Sequence, residues 1–310
     1  MKAIDALTLV VLGGLWGGSF LFMRVAAPEF GPVALITARL LCTSAVLLPL
    51  LYWRGGLRSM GEHWRPLVAV GILNSALPFC LLAFATLSVT AGFAAVLNGT
   101  TPFFAAIIAR LWLNAPLSRA RAAGLIVGFC GVVVLVWGKA SFRPGGSGLA
   151  IVAGLIAALS YGIAASYTRR KLPAVPALTI AAGSLSLGAV CLLPLAVFML
   201  PPHVPSAKAW LNLLGLSLFS TAVAYVLYFR LLARLGPTGA VAVAFLIPAF
   251  AMLWGWLFLG EAVTARMLAG TVIVLAGTGL TSGLAPLQLA QRRDRTSQGA
   301  AATVASVPAD

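Results

Sequence analysis

Ionisable and nucleophilic side chains are scarce in this chain, and their positions exclude most enzymatic chemistry. Six acids and two histidines occur in 310 residues. Asp5, Glu29, Glu62, Asp294 and Asp310 fall at segment ends, in a loop or in the C-terminal stretch, and Glu261 closes an apolar run. His63 and His203 lie in separate loops. Hydrolysis or group transfer needs a nucleophile with its base, paired carboxylates or a metal site. No metalloprotease, nucleophile-elbow or phosphate-cradle spacing is present. Cys42, Cys80, Cys130 and Cys191 sit in apolar runs without metal-ligand spacing, where thiols act as small apolar side chains. The chain is therefore expected not to be an enzyme, and no cofactor or metal is implied.

What these residue types do allow is recognition of a small molecule in an apolar interior. Arg39 is the only charge well inside an apolar run. Its guanidinium could reach out to the membrane surface, cap carbonyls of a neighbouring helix, or anchor a carboxylate substrate. Asn98-Gly99-Thr100-Thr101-Pro102-Phe103 is the most polar stretch within any run. Pro102 and Pro248 fall near the centres of their runs, and a proline in a helix frees the carbonyl four residues earlier, here those of Asn98 and Ala244. Such groups are tolerated in lipid only where protein or cavity water satisfies them. Asn98 and Thr101 are accordingly expected to face a pathway. Asn74 and Pro78, with Phe79 beside them, share one helical face and make a similar case. Trp16 and Tyr161 could line a cavity suited to apolar or aromatic solutes, with Tyr225, Tyr228 and Trp254 adding to it. Gly14 and Gly18, then Gly124 and Gly128, have the small-xxx-small spacing of close helix contacts.

The elements that must position these residues are membrane spans. With 61% apolar residues, 9% charged residues and a mean hydropathy of +1.03, the chain lies outside the range of soluble domains. Crossing about 30 Å of hydrocarbon takes about 20 helical residues. Runs of that length predict ten spans with cores at 6–23, 32–52, 66–87, 92–112, 121–138, 148–168, 177–199, 209–230, 237–259 and 266–284. The first is too long for a signal peptide and is followed by many others. The stretch after Pro286 is too polar to pack and reads as a disordered cytoplasmic tail.

The net charge of +15 is distributed as a topology signal rather than as a nucleic-acid surface. Fifteen Lys and Arg fall on the side of the N terminus and five on the other, with Arg39 inside a span. The positive-inside rule then makes both termini cytoplasmic. The sequence also repeats after about 145 residues: Leu15-Trp16-Gly17 returns as Ser160-Tyr161-Gly162, and Leu47-Leu48-Pro49-Leu50 as Leu192-Leu193-Pro194-Leu195. Residues 1–140 and 145–285 are thus expected to form two five-helix repeats, with 286–310 as the tail. An odd number of spans per repeat gives the halves opposite orientations. The uncharged hairpin at 88–92 and its basic counterpart at 234–237 fit that inversion.

These features resemble the EamA family of the drug/metabolite transporter superfamily over residues 5 to 285. The resemblance rests on Leu15-Trp16-Gly17-Gly18-Ser19-Phe20, Arg39-Leu40-Leu41, Pro248, Leu259-Gly260-Glu261 and Gly270. It implies a ten-helix bundle of two inverted repeats and a bacterial inner-membrane carrier exporting amino acids or related metabolites. A drug or nucleotide-derivative exporter, a channel and a membrane scaffold are the alternatives. The expected partners are a small-molecule substrate and the lipid bilayer, with no nucleic acid; a monomer is compatible with all of this. Leu113-Asn114-Ala115 stands where the family pattern has a second glycine-glutamate pair. Glu261 is therefore read as structural, accepting hydrogen bonds at the mouth of the following helix.

Overall fold

A backbone in hydrocarbon must satisfy its own N–H and C=O groups, so an apolar chain of this kind folds into helices. The computed structural model describes residues 3–138, 141–142 and 145–282; the expected tail lies outside the described residues. Within these residues the chain is all-α. The long helices are α1 (Ala3–Phe30), α2 (Pro32–Trp53), α3 (Trp64–Ala85), α4 (Ala91–Trp112), α5 (Arg119–Val136), α6 (Gly148–Lys171), α7 (Ala177–Phe198), α8 (Ala207–Gly236), α9 (Val243–Leu259) and α10 (Ala265–Ser282). A short helix, Leu57–Glu62, joins α2 to α3. Hydroxyls start several helices: Thr90, Ser118 and Ser206 accept from the N–H groups of Phe93, Arg121 and Ala209 at 3.2–3.3 Å.

Side chains are sorted as lipid requires rather than as water does. Large apolar residues such as Val190, Phe198, Leu257 and Phe258 point outward, while alanine, serine, threonine and glycine crowd the interior. Helix α1 packs on α9, and α6 packs on α4; α3 packs on α6, and α8 on α1; α2 pairs with α7 and α5 with α10. Exchanging α1–α5 for α6–α10 maps this set of pairs onto itself.

Glycines set the closest approaches, and in α1 their register differs from the expectation by one residue. A Cβ on Gly17 would lie 2.9 Å from the Ala251 nitrogen and 3.0 Å from the Ile247 oxygen, so Gly17 and, one turn away, Gly13 seat α1 on α9. Gly14 and Gly18 have ordinary space instead, with Trp254 at 3.8 Å. Gly124 and Gly128 do mark a tight contact, against Gly277 of α10.

Three boundaries depart from the hydropathy reading. Helix α1 runs through Arg24 to Phe30 because the Arg24 guanidinium is matched there: it pairs with Glu261 at 3.4 Å and donates to the Thr86 carbonyl. Helix α4 is divided at residues 99 and 100 into Ala91–Asn98 and Thr101–Trp112. Helix α9 is shorter than expected, since a break at Ala242 separates it from the turn that follows Gly236, whose φ is +69°. Glu261 also differs in its partner. Its carboxylate accepts the Ala91 N–H at 2.9 Å, capping α4 across the repeat boundary, while Thr264 caps the following helix. Burial raises the Glu261 pKa, opposed by the Ala91 N–H and Arg24.

Candidate substrate cavity

Proline and hydroxyl residues open the centre of the bundle. In α3 the turn before Pro78 widens into a π-helix at Ile72–Ala76, which accommodates the missing proline N–H. The repeat-equivalent part of α8, Gly215–Val223, is also π-helical but has no proline. There Thr221 donates its hydroxyl to the Leu216 carbonyl, five residues back, at 2.8 Å. In α4 the carbonyls exposed at the break are taken up by hydroxyls: Thr100 bonds Leu97 at 2.6 Å, Thr101 bonds Asn98 at 2.7 Å, and Thr278 of α10 reaches Gly99 at 3.3 Å.

These irregular segments enclose a cavity of about 490 Å³. Eight of the ten residues expected to contact substrate line it: Trp16, Arg39, Asn74, Phe79, Asn98, Thr101, Tyr161 and Tyr225. Pro102, Pro248 and Ala244, whose carbonyl Pro248 sets free, line it too. Two expected residues stand elsewhere. Pro78 is buried behind Phe79, shaping α3 rather than the wall. Trp254 faces the flank of the bundle, where its indole N–H donates to the Gly14 carbonyl at 3.0 Å. Helix α9 turns that ring away because Gly17 already places Ala251 against α1.

Arg39 takes none of the routes to a carbonyl or to the surface. The residue is 4% exposed. Its Nε donates to the Thr221 hydroxyl at 3.0 Å, and its guanidinium carbon lies 3.9 Å from the centroid of the Phe79 ring. Among the described residues no carboxylate lies within 4.0 Å of it. The Oδ1 atom of Asn98 is buried and has no hydrogen-bond partner. Aromatic rings supply part of the remaining walls, where Trp16 packs on Tyr228 and Tyr225 at centroid distances of 5.3 and 6.4 Å and Phe79 on Tyr161 at 6.4 Å, and aliphatic residues such as Leu82, Ala165 and Val243 supply the rest. Sequence patterns did not reveal Thr221, Ser19, Phe20 or Met23. A serine- and threonine-rich turn equivalent to Asn74-Ser75 was the available signal for Thr221.

Among the described residues the cavity thus has a cation without a carboxylate partner and a mixed aromatic and aliphatic surface. No Asp, Glu or His among the described residues lines it. Among the described residues, no group of three or more metal-ligating side chains occurs.

Comparison with known proteins agrees with this architecture. The pattern of the EamA-like transporter family matches residues 4–137 and again 148–283. YoaV of Bacillus subtilis (strain 168), described as an uncharacterized transporter, is 27% identical over 284 residues, covering 89% of this chain and 94% of that protein. A protein of Streptantibioticus cattleyicolor described as "Probable terminal-alkyne amino-acid exporter" is 27% identical over 300 residues, covering 96% and 98%. A solved crystal structure superposes with a TM-score of 0.64 at 17% identity, covering 93% of this chain and 99% of that one, and so shares the fold. Both halves of the bundle carry the family pattern, and the chain belongs to the EamA-like transporter family.

Proposed function

We propose that this protein exports amino acids or related small metabolites across the bacterial inner membrane, by alternating access around the central cavity and with both termini in the cytoplasm. The observation that carries this reading is the unpaired guanidinium of Arg39 in the cavity wall. A buried charge without a partner is costly, and a carboxylate that enters the cavity relieves that cost through paired, charge-assisted hydrogen bonds. The aromatic rings in the wall suit an apolar or aromatic side chain. The two halves, 1–140 and 145–285, would rock about the seam where α4 and α9 lose their regular hydrogen bonds. Among the described residues no Asp, Glu or His lines the cavity to carry a proton, so flux by facilitation or exchange is the mode we propose.

The aromatic cluster of Trp16, Tyr225 and Tyr228 favours a second reading, export of aromatic drug-like solutes. Uptake of radiolabelled amino acids, nucleosides and cationic drugs into liposomes containing the pure protein separates the two. Saturable, competable flux of amino acids supports the first reading. Flux of cationic drugs alone refutes it, and unsaturable flux indicates a channel.

A further inference from the structure

A second hollow, of about 720 Å³, is cut into the flank of the bundle between α1, α8 and α9. Val10, Leu21 and Val25 line one side, Phe219, Trp254 and Phe258 the other. Gly14 and Gly18 let the Trp254 indole lie directly on α1, 3.8 Å from where a Cβ would stand, so that the ring forms part of the floor of the hollow. Phe219 and Phe258 are 55% and 64% exposed, so the hollow faces the lipid. From Val10 to Val25 the trough follows fifteen residues of α1, about 22 Å at 1.5 Å per residue. Half of a 30 Å hydrocarbon core is about 15 Å, so an acyl chain entering from one leaflet can lie along it for its full depth.

One end of this trough is charged, and with both signs. Lys208, at the start of α8, lines it, and among the described residues no carboxylate lies within 4.0 Å of its ammonium. Glu29 stands one helical turn beyond Val25 on the same face of α1. Its carboxylate is fixed by the Ser206 N–H and hydroxyl at 2.6 and 2.8 Å, and it lies close enough to Lys208 to act on it electrostatically. A cation in the lining and, more than 4.0 Å from it, an anion immobilised one turn beyond Val25 therefore both stand near the end of the trough.

We propose that the trough binds a phospholipid whose headgroup carries both a phosphate and a primary ammonium, with the acyl chain along α1, the phosphate at Lys208 and the ammonium at Glu29. A glycerol headgroup offers Glu29 hydroxyl donors but no cation to offset its charge, so the phosphate's net negative charge is left uncompensated there. A choline headgroup has no N–H to donate to the carboxylate. The site also touches the transport machinery: Phe219 and Ser220 belong to the π-helical stretch whose Thr221 holds Arg39, and Ser220 lines both hollows. A bound lipid would brace that wall. This assignment does not depend on the identity of the transported solute.

Native mass spectrometry of the purified protein, equilibrated with ethanolamine, glycerol and choline phospholipids of identical acyl chains in equal amounts, tests the proposal. The expected result is at least threefold greater retention of the ethanolamine lipid over either competitor. Glu29→Gln should bring the three lipids to parity, Lys208→Gln should lower retention of all three, and Lys208→Arg should keep both the retention and the preference. Equal retention by the unaltered protein, meaning annular lipid only, overturns the assignment. So does a preference for the glycerol or choline lipid, a preference that survives in Glu29→Gln, or retention that Lys208→Gln leaves unchanged. The comparison of headgroups on the unaltered protein needs no variant to fold.

Discussion

Replacing Arg39 by methionine isolates the charge from the packing. Methionine keeps an unbranched apolar stem against Phe79 but loses the guanidinium. The bond to Thr221 and the cation–π contact with Phe79 at 3.9 Å disappear, at a cost of about 1–2 kcal/mol each. Removing a buried cation that has no carboxylate partner offsets much of that loss, since the desolvation penalty of the charge goes with it. The melting temperature of Arg39→Met should therefore stay within a few degrees of the unaltered protein. Transport should not. A hydrogen bond to a charged group contributes about 1.5–3 kcal/mol, which corresponds to a rise in KM of about 10- to 150-fold for a carboxylate solute. The assay is saturable uptake into liposomes, run as a cycle: the unaltered protein and the Arg39→Met variant, each with an amino acid and with its uncharged amide. The amide should lose little on going from arginine to methionine, so the two substitutions should be strongly non-additive. If Arg39→Met raises KM equally for acid and amide, or leaves both unchanged, the guanidinium does not bind a carboxylate and the reasoning fails.

Other substitutions probe the walls and the helix seats. Trp16→Ala and Asn98→Ala should each lower uptake while leaving expression and monodispersity intact; flux equal to the unaltered protein in both would remove these positions from the pathway. Gly17→Ala places a Cβ against the backbone of α9 and should cost about 1–3 kcal/mol by thermal unfolding, whereas Gly14→Ala, with 3.8 Å of clearance, should cost under about 0.5 kcal/mol. Glu261→Ala leaves the Ala91 N–H and Arg24 without their acceptor and should lower stability by about 1–3 kcal/mol, with Glu261→Gln retaining part of it through Ala91. Uptake should continue unchanged when the proton gradient is collapsed, measured with an ionophore in the same liposomes.

Composition and the spacing of charges determined that this chain spans a membrane about ten times, because hydrocarbon thickness fixes span length and charges are excluded from it. The repeated Leu-Leu-Pro-Leu and the paired prolines marked the duplication, since a repeat leaves its trace in letters. Polar and aromatic residues inside spans pointed to the cavity for the same reason: Asn74, Asn98 and Tyr161 are expensive facing lipid, so they turn inward. Hydropathy could not show that α1 passes through Arg24, because only the folded chain brings Glu261 and the Thr86 carbonyl to that guanidinium. Nor could it choose between the pair Gly13 and Gly17 and the pair Gly14 and Gly18, since the same spacing occurs in two adjacent registers and only the position of α9 selects one. That choice sends Trp254 to the flank and leaves the trough beside it open. The environment of Arg39 was likewise decided in three dimensions: a π-helical turn 182 residues away supplies Thr221, and its geometry depends on backbone hydrogen bonds that a linear pattern does not specify.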